Sequence, residues 1–228
     1  MAKIGVLSAM PVEIEGILQD AEDQSPSAPN FYQIWKRKLG DNTVYFSCSG
    51  IGKVNAAACA QHLIDVFHVD CIINMGIAGG IAKDLHTLDV VIGGEVFYHD
   101  YTPDTLLKKY YPFQNRYTCD KKLQGIASSV CRSTPEVAHF RIGNIASGDC
   151  FVEAKDTKDH IREDLDGVCC EMEGAAIGHT CYLNKVPFLI VRCISDLADE
   201  DAPMAYDEFE KKASILSNHV VEGILKAI

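Results

Sequence analysis

Four carboxylates in three stretches could carry chemistry in this sequence: Glu13, Glu171 with Glu173, and Asp196. In Cys170-Glu171-Met172-Glu173-Gly174-Ala175-Ala176-Ile177, two carboxylates flank a methionine where an apolar strand pattern meets a helix pattern. Extended backbone there turns Glu171 and Glu173 to one face and Met172 to the other. Gly174 permits a tight turn, and the compact residues after it start a closely packed helix. Residues 186–196 read as a buried strand that ends in Ser195-Asp196. Glu13 falls in the first turn of a helix opened by Pro11, where partnership with the helix dipole is the plain alternative to a role in chemistry. Carboxylates gathered in a cleft exchange protons and bind hydroxyls. Ligands of open α/β sheets bind beyond the carboxyl ends of strands, and both downstream acidic clusters lie at such ends. They are read as one site.

The elements that position them follow in order. Ile4-Gly5-Val6-Leu7 is a first buried strand, Ser8-Ala9-Met10 a turn, and Ile14, Ile17 and Leu18 recur at helical spacing. Residues 25–30 form an exposed turn. Residues 31–39 and 43–48 form a hairpin across Gly40-Asp41-Asn42. Ser49-Gly50-Ile51-Gly52-Lys53-Val54 is a Gly-rich turn that offers backbone N–H groups to an anion or sugar. It lacks the pattern of a Walker loop, and Lys53 reads as a surface residue. Residues 70–74 are a strand, followed by a second Gly-rich turn, Met75-Gly76-Ile77-Ala78-Gly79-Gly80. That turn lacks the dinucleotide fingerprint; its small residues imply close approach of a ligand or a helix. Residues 89–100 are a long strand with a Gly bulge. Residues 101–117 hold Tyr110-Tyr111-Pro112-Phe113, which reads as a lid or subunit contact, or equally as a satellite core. A helix at 123–131 and a strand at 140–146 precede Ser147-Gly148-Asp149-Cys150-Phe151-Val152, and residues 209–228 are a final helix. Strands alternating with helices argue for a mostly parallel sheet covered on both faces.

Composition sets the bounds. The chain has 228 residues, read as one domain over 1–228, and its 47% hydrophobic content suits a sizeable core. Its net charge of −11 argues against a nucleic acid partner, because neutralising phosphates takes clustered Lys and Arg. The ten cysteines include no Cys-x-x-Cys, and adjacent Cys169-Cys170 make a poor chelating pair. With Cys48, Cys59, Cys71, Cys150, Cys181 and Cys193 in strand or helix patterns, they read as small core residues in a reducing cytoplasm, not as metal ligands. The chain starts straight into a strand, which leaves no signal peptide, and no apolar run is long enough to span a membrane.

These pieces together resemble the nucleoside phosphorylase/hydrolase superfamily, most nearly its bacterial 5'-methylthioadenosine/S-adenosylhomocysteine nucleosidases. The resemblance rests on Ile4-Gly5-Val6 through Met10 and Glu13, Ser49 to Val54, Ile72-Ile73-Asn74 with Gly76 to Gly80, and Tyr98-His99-Asp100. It continues through Ser147-Gly148-Asp149 with Phe151, Glu171-Met172-Glu173, Val191-Arg192 with Ile194-Ser195-Asp196, and Asp207-Glu208-Phe209. It implies an α/β fold: three α/β/α layers around a central mixed, largely parallel twisted sheet. The implied reaction is hydrolysis of the bond between adenine N9 and ribose, through an oxocarbenium-like transition state. Asp196 then matches the general acid on adenine N7, with Ser195 holding it. Glu13 matches the carboxylate that orients and deprotonates the water, and Glu173 the one that grips the ribose hydroxyls. Arg192 keeps the carboxylates ionised and aimed, and Glu171 is its structural partner. Met10 and Met172 pack on the sugar and Phe151 on the purine, whose edge the Val152 backbone reads. Ile77, Ala78 and Gly79 line the substrate site, and Ile51 and Tyr206 match the 5'-alkylthio pocket. The resemblance implies a homodimer with a small nucleoside substrate and no metal or cofactor.

Two departures stand out. Ile77 replaces a serine frequent in relatives, and an apolar side chain there disfavours phosphate. The segment His99-Asp100-Tyr101-Thr102-Pro103-Asp104 differs from the usual acidic stretch, which bears on the 5' substituent. The alternatives are a nucleosidase for another purine nucleoside such as aminodeoxyfutalosine, a purine nucleoside phosphorylase, and a nucleoside-binding protein without catalysis.

Overall fold

The computed structural model of the chain describes residues 1–24, 32–198 and 202–228, the side chains of 202–208 excepted. The expected turn at 25–30, and Phe31 at the start of the expected hairpin, lie outside the described residues.

Strand β1 (Lys3–Ser8) is buried from its second residue on. It pairs in parallel with β4 (Asn42–Cys48) on one side and β5 (Cys71–Gly80) on the other. A parallel strand with helices on both faces has no solvated side, which is why Ile4-Gly5-Val6-Leu7 reads as a continuous apolar run. β3 (Ile34–Leu39) and β4 form the expected hairpin, turning at Gly40 with φ of 56°, and the short β2 (Glu22–Asp23) adds to its edge.

β5 is longer than the sequence implies. The second Gly-rich stretch is no turn but the outer half of this ten-residue strand. Its small residues serve pairing on two sides: β10 (Phe188–Asp196) runs parallel along it, and β9 (Cys169–Glu171) meets its end antiparallel at Gly79 and Gly80. β6 (Val90–Tyr98) pairs with β10, with β8 (Phe140–Ser147) and with the short β7 (Arg116–Thr118), and its register shifts between Gly93 and Val96. This is the expected bulge. β8 in turn pairs with β9. The sheet is therefore mixed, largely parallel in its centre, and it folds back on itself around β5, β10, β6, β8 and β9.

Helices cover it in two groups. α2 (Lys53–His62) packs on α6 (Gly174–Asn184). α7 (Ala202–Ala227) packs on α4 (Lys121–Ser133), on α1 (Pro11–Ile14) and on β5 and β10. α4 begins two residues before its apolar spacing does, because Asp120 caps it by accepting the Leu123 N–H at 2.9 Å. The aromatic segment holds α3 (Thr105–Lys109) and leaves Tyr110, Tyr111 and Phe113 exposed. α5 (Lys155–Asp159) is short and carries no buried residue.

All ten cysteines are free thiols, and eight are buried. Cys150 is exposed, not part of a packed element as its sequence setting suggests, because it stands in a bend beyond the end of β8. Among the described residues no helix is long and apolar enough to cross a membrane.

Candidate active site

The site forms where β5 and β10 lie side by side. Arg192 pairs with Gly76, Cys193 with Ile77 and Ile194 with Ala78; then the register slips and Asp196 pairs with Gly79. The slip is a bulge at Ser195, a device that re-aims side chains at the end of a strand. Asp196 emerges buried, with Oδ2 accepting the Ser195 hydroxyl at 2.8 Å and Oδ1 accepting the Ala198 N–H at 2.9 Å. Gly79 is required opposite it, since a Cβ there would stand 2.9 Å from Asp196 Oδ1.

Arg192 is fully buried behind the cavity. Its Nη2 donates to Asn74 Oδ1 at 2.6 Å, forms an ion pair with Glu171, and lies 3.7 Å from Glu173 Oε2. Burial works against its charge, but Glu171, Glu173 and Glu13 outweigh that and raise its pKa. Glu171 is the hub of the turn into α6. It accepts the Ser147 hydroxyl and the N–H groups of Glu173, at 3.0 Å, and Gly174, at 2.7 Å. These bonds end the strand at Glu171, so Glu173 is not extended but caps α6 with φ of −131° and ψ of −38°. Both carboxylates still face Arg192, but Met172 does not point away from them: all three line one cavity.

Glu173 Oε1 accepts the Gly52 N–H at 2.8 Å, from the first Gly-rich turn. Burial, and then the charge of Glu171, push its pKa up to about 7, against the pull of Arg192 and the Gly52 N–H. Glu13 Oε2 reaches back to the Ala9 and Met10 N–H groups, both at 2.9 Å, and so caps its own helix. Its Oε1 crosses to the Ile77 N–H on β5 at 3.0 Å. Burial raises its pKa despite Arg192 and these three N–H groups. The helix-end reading of Glu13 and its place in the site are therefore both true of one carboxylate.

A cavity of about 240 Å³ joins these groups. Glu13, Glu173, Ser195 and Asp196 line it. So do Met10, Met172, Ile77, Ala78 and Gly79, with Ile51, Phe151 and Val152 at the other walls. Val152 is buried, whereas Ile51 and Phe151 stand half-exposed at the mouth. Arg192 is the expected site residue that does not reach the cavity. Tyr206 lies outside the residues whose side chains are described. Ala9 and Cys170 also line the cavity without being expected there, and Glu171, expected at the site as the structural partner of Arg192, lines it too. Asn74 holds Arg192; its signal in the sequence is a polar residue closing an apolar strand run, which must find a buried partner.

One guanidinium faces three carboxylates, so the walls carry an excess of negative charge once Glu13 and Glu173 are both ionised. Such a pocket stabilises positive charge developing on a bound sugar and repels an anion. Asp196 stands apart from this cluster, beside Ser195. Among the described residues no group of three or more His, Cys, Asp or Glu is placed to hold a metal ion.

A family model described as the phosphorylase superfamily matches residues 3–227. The 5'-methylthioadenosine/S-adenosylhomocysteine nucleosidase of an Exiguobacterium species is 36% identical over 99% of this chain and 98% of its own. The crystal structure of the enzyme of that name from Neisseria meningitidis, in complex with methylthio-immucillin-A, superposes with a TM-score of 0.92 at 33% identity, covering all of both chains. A futalosine hydrolase from Helicobacter pylori superposes with a TM-score of 0.91 at 28% identity, over 100% of this chain and 98% of that one.

Proposed function

The chain belongs to the phosphorylase superfamily and, within it, to the 5'-methylthioadenosine/S-adenosylhomocysteine nucleosidases, and we propose that Glu13, Glu173 and Asp196 carry its reaction. The activity is hydrolysis of the N-ribosyl bond of 5'-methylthioadenosine and S-adenosylhomocysteine, which releases adenine and the 5'-thio-substituted ribose. The observation that carries the assignment of roles is the division of the cavity: one carboxyl held by Ser195 at one place, and Glu13, Glu171 and Glu173 around Arg192 at another.

In this reading Asp196, as the acid, gives its proton to adenine N7 while the N9–C1' bond breaks. Ser195 and the Ala198 N–H fix the plane of its carboxyl group. Glu13 takes a proton from the water whose oxygen bonds to C1'. Its three N–H contacts hold it still, so that little reorganisation remains at the moment of reaction. Glu173 binds the ribose hydroxyls and faces the positive charge on the sugar. Arg192 keeps Glu171 and Glu173 in place from behind. Met10 and Met172 pack on the sugar and Phe151 on the base, whose edge the Val152 backbone reads, and Ile51 lies against the 5' group. Ile77 supports water as the nucleophile over phosphate: its side chain is apolar and its N–H is already given to Glu13.

The whole chain is read as one domain, supported by a single sheet that takes in all ten strands of the described residues. The exposed Tyr110, Tyr111 and Phe113 support a homodimer, which sedimentation of a monomer alone at micromolar concentration would overturn. Ten free thiols support a reducing, cytoplasmic setting, and the substrates a place in methionine salvage.

The test is to incubate the purified protein with 5'-methylthioadenosine, S-adenosylhomocysteine, adenosine and inosine, with and without phosphate, and follow the free base. Adenine released from the thio-nucleosides without phosphate is expected. Release only with phosphate overturns the hydrolytic reading in favour of a phosphorylase. Binding without any product points to a nucleoside-binding protein. The likeness to the H. pylori futalosine hydrolase makes aminodeoxyfutalosine the further substrate to include, since the same cleavage with a different 5' group needs only a different mouth.

A further inference from the structure

We propose that Lys53, Asp100 and Asp149 form a clasp that holds the two lips of the cavity, one carrying Ile51 and the other Phe151, at the separation a whole nucleoside needs. The proposal rests on the nucleosidase reading above.

The three residues come from three elements: the start of α2, the end of β6 and the end of β8. The Lys53 ammonium lies 2.5 Å from Asp100 Oδ2 and 3.6 Å from Asp149 Oδ2, over the Tyr98 ring at 5.5 Å from its centroid. The Lys53 N–H donates to Asp149 Oδ1 at 2.8 Å, and the Asp149 N–H donates to Asp100 Oδ2 at 2.9 Å. Each lip thus touches the clasp through both main chain and charge. An isolated surface ion pair contributes little, but two backbone donors fix this geometry and both side chains of the closest pair are only 24% exposed. Gly52 is tied into it as well: its φ is 96°, and a Cβ there would stand 3.1 Å from Asp149 Oδ1. A side chain at position 52 would press the lips apart.

The clasp lies one residue from each apolar lip. Gly52 separates it from Ile51, and Cys150 separates it from Phe151. The lips belong to different ends of the cavity. The Gly52 N–H binds Glu173, at the end assigned to the sugar. Val152, next to Phe151, packs in one cluster with Cys170 and Ala198, and the Ala198 N–H binds Asp196, at the end assigned to the base. Fixing one lip to the other therefore sets how base and sugar are held together. Because the lips contact bound substrate and transition state alike, the clasp acts on uniform binding, which appears in KM more than in kcat. Lys53 is a positioning residue, remote from the reacting atoms.

The experiment compares wild-type protein with Lys53→Met, which keeps the aliphatic stem, and with Lys53→Arg. For Lys53→Met the expected result is a KM for 5'-methylthioadenosine raised about fivefold with kcat within about twofold, and inhibition by free adenine unchanged. Adenine needs only the Phe151 lip. Lys53→Arg recovers most of the loss, and raising the salt concentration weakens the wild-type enzyme towards the variant while leaving the variant unmoved. An active wild type with an unaltered Lys53→Met KM overturns the clasp. So does an equal loss of adenine and nucleoside affinity, the mark of a general structural effect. If Lys53→Met does not fold, Asp100→Asn carries the same comparison. A wild-type protein that turns over nothing overturns the functional reading instead, and calorimetric binding of 5'-methylthioadenosine to wild type and variant then decides the clasp.

Discussion

The side-chain amide of Asn218 donates to the main-chain oxygen of Glu13 at 3.0 Å, so the last helix of the chain holds the first acidic residue of the site. α1 is four residues long and cannot sustain itself by its own hydrogen bonds. It is kept in place by α7, where buried Asn218 also donates to Ser214 O at 2.6 Å, and by the Glu13 carboxylate reaching β5.

Asn218→Ala should therefore loosen Glu13 without touching the cavity. Leaving buried partners unsatisfied should lower the unfolding free energy by about 1–3 kcal/mol. Turnover should fall more than KM changes, by about tenfold in kcat, since a small misplacement of a reacting group is enough. Denaturant melts and steady-state kinetics on the same samples check this. A stability loss with kcat intact would reduce Asn218 to a packing residue.

Gly76 stands between Arg192 and Glu13. A Cβ built on it would fall inside contact distance of both Arg192 Nη1 and Glu13 Oε1. Gly76→Ala must displace both of them, and each is buried and bonded on other sides. The variant should fold, by circular dichroism, with kcat reduced about a hundredfold. Near-normal turnover would show that the pair can move apart freely.

Asp196→Asn is the cleaner of the two substitutions at the reacting groups. An amide oxygen still accepts the Ala198 N–H, and the amide nitrogen can donate to a turned Ser195 hydroxyl, so the melting temperature should hold. The proton for N7 is lost, and kcat should fall by about 10³. Glu13→Gln should lose activity to a similar degree but also stability, because one amide oxygen cannot accept from Ala9, Met10 and Ile77 together. Full activity in Asp196→Asn would overturn the assignment of the acid.

Glu173 titrates at about 7 when folded, against an ordinary value of 4.5. A carboxyl with a raised folded pKa stabilises the fold fully below pH 4.5, and that contribution is lost as pH rises through about 7. Affinity should run the other way. The ionised carboxylate is the form that accepts ribose hydroxyls, so kcat/KM for 5'-methylthioadenosine should rise through neutral pH. Glu173→Gln should remove that limb of the profile and flatten the fall in stability. A limb that survives the substitution belongs to another group.

Much of this fold was legible in the chain. The apolar runs of β1 and β10, the Pro at the start of α1 and the Gly bulge in β6 are local signals, set by burial on both faces and by backbone geometry. The second Gly-rich stretch misled for a physical reason. Glycine and alanine mark close approach but not by what, and here the neighbours are strands β10 and β9 along with the Arg192, Asp196 and Cys170 side chains. Glu171 and Glu173 both face Arg192, yet not by alternation along a strand: the strand stops between them because Glu171 takes the N–H groups of Glu173 and Gly174 for itself, and Met172 lines the same cavity as both.

The sequence by itself determined which chemical groups were present and which segments could end together at the tops of strands, because periodicity and turn residues act over a few positions. It also carried, through the order of its motifs, the likeness to a family. Tertiary structure alone decided what those groups are. Glu13 lies 64 positions from the Ile77 N–H it binds, Asn218 lies 205 from Glu13, and Lys53 lies 47 from Asp100. Charge and burial depend on such distant neighbours. A lysine legible only as a surface residue became the joint between two lips, and a helix-end glutamate became a buried carboxylate with a raised pKa, only once the sheet had folded back on itself.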